Sequence, residues 1–120
     1  MTNVLNKIIE DKKDSLKSIK KTNSLDSIEN TIKSLNSFLN FKEVITNNKR
    51  ASIITEIKKA SPSAGELVKD FNHLNIAKMY VDNGATCLSV LTEEKHFLGK
   101  LDYIRDIKDK FKIPVLAKDF

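Results

Sequence analysis

Three short apolar segments alternate with two amphipathic segments in the second half of the chain, and this order limits the possible fold more than any other feature. The apolar segments read ASIITEI (51–57), TCLSVLT (86–92) and IPVLA (113–117). Between them lie NHLNIAKMYVDNG and KLDYIRDIKDKFK, in which Leu, Ile, Tyr and Phe recur at helical spacing. The pattern predicts the order strand, helix, strand, helix, strand.

The spacing of these strands favours a parallel sheet. Successive strands begin roughly 30 residues apart, which is the length of a βαβ unit, and near-continuous apolar strands are typical of a parallel sheet covered by helices. Gly84 fits the end of a helix, and Pro114 fits the start of a strand. The predicted fold class is α/β, with the sheet either doubly wound or closed as a barrel, because periodicity does not choose between the two.

Residues 1–48 are predicted to form a helical extension before this sheet, which occupies residues 49–120. Ser24 is the predicted N-cap of the second helix, and a shorter third helix is predicted around Val44. The apolar stripes of the first two helices consist of Leu5, Ile8, Ile9, Leu16 and Ile19, and of Leu25, Ile28, Ile32 and Leu35.

Composition argues against several classes of protein. The apolar runs are only a few residues long, so neither a membrane span nor a signal peptide is predicted, and we expect a cytoplasmic protein. Cys87 is the only cysteine, and His73 and His96 are too far apart for a zinc motif, so we expect no structural metal. The net charge of +5 is compatible with nucleic-acid binding. However, the lysines alternate with acids in EDKKDSLKSIKK, which favours a solvated helix face.

Polar side chains at the ends of the strands are the first functional signal. Side chains alternate between the faces of a strand, so Glu56 and Lys58 share one face with Ile54. Lys118 ends the third strand and Ser89 lies near the end of the second. Sites of parallel α/β proteins lie at the carboxyl ends of the strands, so we expect Glu56, Lys58 and Lys118 to converge there. The alternative is a surface ion pair worth ~0–1 kcal/mol.

Three motifs carry a resemblance to a known family. TEIKKASPSAG, ATCLSVLTEEKHFLG and IPVLAKDF resemble the first three βα segments of indole-3-glycerol phosphate synthase, and the similarity covers essentially the whole chain. It implies a (β/α)8 TIM barrel preceded by a helical extension. It also implies conversion of 1-(2-carboxyphenylamino)-1-deoxyribulose 5-phosphate to indole-3-glycerol phosphate in tryptophan biosynthesis, with loss of CO2 and water. The family uses no organic cofactor or metal.

The same resemblance assigns catalytic roles to three residues. Lys118, in the KDF motif, matches the general acid that protonates the ribulose carbonyl during ring closure. Lys58 matches the lysine that binds the anionic substrate and assists the dehydration. Glu56 matches the carboxylate that holds both lysines in position and in their charged state.

The resemblance also implies that Ser61 contacts the substrate and that Phe97 and Phe120 form apolar walls around the anthranilate ring. For Phe120, packing in the core is an equal alternative. Three positions depart from the usual residues of the family without removing a catalytic group: His96, Lys100 and Ala117.

Length is the main departure from the family. A TIM barrel takes ~250 residues, whereas this chain stops after the third strand. The catalytic base glutamate, the asparagine and the phosphate-binding loops of the family are therefore expected beyond Phe120. Three interpretations stay open. They are a synthase fragment that is inactive alone, a non-catalytic half-barrel that pairs with a second chain carrying the missing half, and a basic module that binds nucleic acid.

Overall fold

The computed structural model describes residues 3–119. This part of the chain forms two compact units. The first ends at Phe38 and the second begins at Leu39. None of the helices in this described range has the length and apolar character to cross a membrane. The helices are α1 (Val4–Thr22), α2 (Leu25–Ser34), α3 (Phe41–Thr46), α4 (His73–Asp82) and α5 (Asp102–Lys110), and the strands are β1 (Ile54–Ile57), β2 (Ala60–Ser61), β3 (Gly65–Glu66), β4 (Cys87–Leu91) and β5 (Val115–Lys118).

Side-chain caps define the beginnings of the helices in the first unit. The Asn3 side chain accepts a hydrogen bond from the Leu5 N–H at 3.1 Å and so caps α1. Ser24 accepts one from the Ser27 N–H at 3.2 Å and caps α2, which confirms the predicted N-cap. Such caps satisfy N–H groups that have no partner within the helix.

The short helix α3 lies in the second unit, although the sequence analysis grouped it with the helical extension. Asn40 caps it through the Glu43 N–H at 3.0 Å. The Ser52 hydroxyl then donates to the Ile45 carbonyl at 3.1 Å, so α3 is bonded to the segment that leads into β1. This contact joins α3 to the beginning of the sheet.

The second unit contains a three-stranded parallel sheet in the order β1-β4-β5, as predicted. In the register, Glu56 of β1 pairs with Ser89 of β4, which pairs with Leu116 of β5. The strands follow one another in chain order, with α4 and α5 as the crossover helices. Three strands in chain order occur both in barrels and in doubly wound sheets, so this order leaves both open.

The core lies between the sheet and its two helices. Ile57, Leu88 and Val90 point from the sheet to the helices and pack in one buried cluster with Ala77 of α4 and Ile107 of α5. The opposite face carries the alternate residues of each strand, because side chains alternate along a strand. The helices therefore cover one face of the sheet, and the polar side chains that end the strands belong to the other.

The segment after β1 forms a short hairpin that the sequence periodicity did not predict. β2 and β3 pair in antiparallel fashion, and Ser61 opposes Gly65 across a turn at residues 62–64. Gly65 has a φ of 68°, in the left-handed region that glycine adopts readily. The Ala64 N–H also donates to the Ser61 hydroxyl oxygen at 3.2 Å inside the turn. The left-handed glycine and the hydrogen bond inside the turn therefore stabilise a small hairpin in this polar segment.

Gly99 allows a close backbone approach after β4. A Cβ atom at this position would lie 2.1 Å from the Leu91 carbonyl oxygen, far inside van der Waals contact. By contrast, a Cβ at Gly84 would meet nothing within 4 Å, although Gly84 has a φ of 85°. The two glycines are therefore needed for different reasons.

We predict that Gly99→Ala destabilises the chain more than Gly84→Ala. Overpacking against backbone atoms should cost about 3 kcal/mol in the free energy of unfolding, whereas Gly84→Ala adds only the left-handed strain of about 1 kcal/mol. Urea unfolding of both variants measures the difference. Equal losses for the two variants would contradict the close approach.

Candidate active site

A single carboxylate joins two lysines at the carboxyl end of the sheet. Glu56 Oε1 lies 2.9 Å from Lys58 Nζ, and Glu56 Oε2 lies 2.6 Å from Lys118 Nζ. The two ion pairs confirm the predicted convergence of these three side chains. Their catalytic roles stay predictions.

The parallel register explains why residues that lie far apart in sequence meet here. Lys118 of β5 pairs with Leu91 of β4, and Val90 pairs with Ile57 of β1. Lys58 lies one residue past the end of β1, and continuation of this register places it level with Leu91 and Lys118. Glu56 lies two residues earlier on the same face, so its carboxylate can reach both ammonium groups.

The environment keeps Glu56 ionised. Partial burial raises the pKa of Glu56, but hydrogen bonds from Lys118 and Lys58, together with their charges, outweigh burial and lower this pKa below its ordinary value of 4.5. A carboxyl group with a lowered pKa in the fold stabilises the fold above its ordinary pKa. This stabilisation is lost as the pH falls through the lower value.

The same contact keeps Lys118 protonated. The hydrogen bond to Glu56 raises the pKa of Lys118 above its ordinary value of 10.5; partial burial opposes this, and the charges of Glu56 and Asp119 add to it. Lys118 is therefore an ammonium at neutral pH. In that form it can donate a proton or bind an anion.

Hydrogen bonds to the main chain position both strand ends. The Thr92 N–H and hydroxyl both donate to the Lys118 carbonyl oxygen, at 3.0 and 3.2 Å. The Tyr80 hydroxyl of α4 donates to the Glu56 carbonyl oxygen at 3.1 Å. The backbones that carry two members of the charged cluster are thus held by neighbouring elements.

A buried carboxylate organises the loop after β4. Glu93 accepts hydrogen bonds from the N–H groups of Lys95, His96 and Phe97 at 3.0, 2.6 and 3.0 Å. The Phe97 carbonyl accepts one from the Ala60 N–H at 3.3 Å, which joins this loop to the hairpin. The sequence analysis missed Glu93. The available signal was an acidic residue two positions after a strand of continuous apolar character.

The three predicted substrate-contact residues have different outcomes. Ser61 lies in the hairpin, where its hydroxyl accepts the Ala64 N–H and is 3.4 Å from the Ser63 hydroxyl. Phe97 is half-buried in the loop after β4. Phe120 lies outside the described residues. Their contacts with a substrate stay predictions.

The geometry at the strand ends indicates a class of protein. A parallel α/β sheet with paired lysines and a carboxylate at the carboxyl ends of its strands has the arrangement of proteins that bind small anionic ligands there. Within residues 3–119, no group of three His, Cys, Asp or Glu side chains is placed to hold a metal ion. The family model of indole-3-glycerol phosphate synthase matches residues 5–120, and the chain belongs to this family, whose fold is a TIM barrel.

Individual relatives agree with this assignment. The chain is 41% identical to indole-3-glycerol phosphate synthase of Desulforamulus reducens over 117 residues, which are 98% of this chain and 44% of the relative. It is 45% identical to the synthase of Clostridium acetobutylicum over 118 residues, 98% of this chain and 45% of the relative. A synthase of Legionella pneumophila is 51% identical over 80 residues, 67% of this chain and 31% of the relative. The chain thus spans just under half the length of the first two relatives.

We predict that Glu56→Gln lowers the pKa of Lys118, because it removes the negative charge and leaves only a neutral amide oxygen to accept the hydrogen bond. NMR titration of side-chain-labelled lysine measures this pKa. Glu66→Gln is the matched control, since Glu66 pairs with Lys59 at 3.7 Å in the neighbouring hairpin. The control should leave the Lys118 titration unchanged. A Lys118 titration that is the same in both variants would show that the Glu56 contact does not control the charge of Lys118.

Proposed function

We propose that this chain supplies the first three βα segments of an indole-3-glycerol phosphate synthase barrel, with residues 1–48 as its helical extension. The completed enzyme is a carbon–carbon lyase of tryptophan biosynthesis that converts 1-(2-carboxyphenylamino)-1-deoxyribulose 5-phosphate to indole-3-glycerol phosphate, CO2 and water. The observation that supports this most strongly is the cluster of Glu56, Lys58 and Lys118 in a chain of this family.

Lys118 is the proposed general acid. Ring closure joins an aromatic carbon to the ribulose carbonyl, and the carbonyl oxygen gains negative charge as this bond forms. A proton from a positioned ammonium avoids a high-energy alkoxide. Lys118 carries the required proton at neutral pH, although the contact with Glu56 raises its pKa and makes it a weaker acid than an isolated lysine.

Lys58 is the proposed anion-binding residue and assists proton transfer in the dehydration. A lysine ammonium is a compact point charge on a flexible stem, which suits contact with a carboxylate or phosphate oxygen. Glu56 is then the group that offsets the repulsion between the two lysines and holds their ammonium groups together.

The substrate contacts follow from the two loops beside this cluster. Ser61 is proposed to contact the substrate through its hydroxyl, and Phe97 and Phe120 are proposed as apolar walls for the anthranilate ring. The hydrogen bond between the Ala60 N–H and the Phe97 carbonyl supports this grouping, because it joins the Ser61 hairpin to the Phe97 loop.

Further barrel strands are proposed to complete the site, either in the same chain or in a second one. Ile54 and Leu116, on the sheet face opposite the helices, are each 47% exposed and lie on the two edge strands β1 and β5. Closure of a barrel would cover both side chains and pair both edges. The base that accepts the proton lost during dehydration would come from those further strands.

The test uses this chain extended by the remaining segment of the Clostridium acetobutylicum relative, with indole-3-glycerol phosphate formation followed by fluorescence. Lys118→Met should lower kcat by roughly 10²–10⁴-fold, because the proton donor is lost while chain length is kept. Lys58→Met should also raise KM, because a charge contact with an anionic ligand is lost. The chain of 120 residues should show no turnover by itself and should gain some when the complementary segment is added.

Lys59→Met is the matched control. Lys59 neighbours Lys58 in sequence but pairs with Glu66 of the hairpin at 3.7 Å, outside the charged cluster. This variant should keep kcat within a few-fold of the unsubstituted extended chain. If Lys118→Met had the same kcat as Lys59→Met, Lys118 would not be the acid. Turnover by the 120-residue chain alone would refute the need for further strands.

A further inference from the structure

The loop between β4 and α5 depends on one buried carboxylate. Glu93 is only 7% exposed, although carboxylates are rarely buried without partners. Its two oxygens accept three main-chain N–H groups, from residues 95, 96 and 97. Hydrogen bonds to a charged acceptor are stronger than neutral ones. Glu93 therefore satisfies the backbone N–H groups of this loop, as a neighbouring strand satisfies those of a strand.

The same loop has two further constraints. The Gly99 N–H donates to the Glu93 carbonyl oxygen at 2.8 Å, which closes the loop on itself. Leu98 has a φ of 53°, in the left-handed region that a bulky residue rarely adopts. Such a conformation persists only where the surrounding contacts over-determine it. On either side of Leu98, the N–H groups of Phe97 and Gly99 both donate to Glu93.

The loop contacts the proposed site at two points. Phe97 accepts the Ala60 N–H through its carbonyl, next to Ser61 of the hairpin. Thr92, one residue before Glu93, donates twice to the Lys118 carbonyl. One loop thus borders both the hairpin that follows β1 and the last residue of β5.

We propose that Glu93 is a positioning residue that orders the loop of residues 95–99 and, through the Phe97 carbonyl, fixes the hairpin of Ser61 beside the charged cluster. Glu93 touches no substrate in this account. Its effect on catalysis rests on the proposed synthase function, whereas the coupling of the loop to the hairpin does not.

Amide hydrogen exchange of the 120-residue chain tests the coupling. Glu93→Gln keeps the side-chain size but replaces one acceptor oxygen with an NH2 group, which faces N–H donors. Exchange of the 95–97 amides and of the Ala60 amide should become faster by roughly tenfold or more. The Leu88 amide, which donates to the Pro114 carbonyl at 2.9 Å beside the core, should change less than twofold. Unchanged exchange at Ala60 would overturn the coupling.

Two further variants keep the exchange experiment decisive. Glu94→Gln alters the exposed neighbouring acid and should leave the amides of residues 95–97 and Ala60 at parent rates. Glu93→Asp keeps the charge on a shorter side chain and should exchange at intermediate rates, which also provides a result if Glu93→Gln does not fold. Equal rates for Glu93→Gln and Glu94→Gln would count against the carboxylate as the ordering group.

Kinetics of the extended chain separate positioning from general stability. Glu93→Gln should raise KM by roughly tenfold with a smaller change in kcat, because the substrate contacts shift while Lys118 remains, and Glu93→Asp should restore part of the KM. A KM equal to that of Glu94→Gln would overturn the positioning role. If the unsubstituted extended chain were inactive, the proposed function would fail, whereas the exchange rates would still decide the coupling.

Discussion

The site depends on one carboxylate that two ammonium groups share. Lys58 and Lys118 come from different strands and carry like charges, which repel each other at short range. Glu56 offers one oxygen to each of them, and its own charge is stabilised in return, as the lowered pKa of this carboxyl indicates. Without a parallel register that aligns β1, β4 and β5, no single side chain could reach both lysines.

The two faces of the sheet have separate tasks. Ile57, Leu88 and Val90 bury against α4 and α5 and supply the apolar contacts that hold the unit together. The alternate residues of the same strands point to the other face, where Glu56 and Lys118 form an ion pair. Because side chains alternate along a strand, one strand of four or five residues can contribute to the core on one face and to the charged cluster on the other. Tyr80 connects the two tasks, since it lies on a packing helix and donates to the Glu56 carbonyl.

Features with a side-chain period were predictable from sequence, and features made by the main chain were not. The period of two in the strands and the helical spacing between them predicted the parallel sheet and the convergence of Glu56 with Lys118. The hairpin at Ser61 was missed because strands of two residues are too short to show alternation. Glu93 was missed because its partners are backbone N–H groups, which every residue except proline carries. Periodicity and strand order alone could not distinguish a closed barrel from a doubly wound sheet, because three strands in chain order are common to both; the barrel is indicated by the family match.

The bidentate pairing of Glu56 makes Lys58 and Lys118 energetically interdependent. When either lysine loses its charge, Glu56 becomes fully available to the other, whose protonated form then gains stability. The contributions of the two lysines to the stability of the cluster are therefore coupled through Glu56. For the same reason, the changes in unfolding free energy caused by substituting the two lysines should not be additive. A double-mutant cycle would measure the interaction between the lysines that Glu56 mediates.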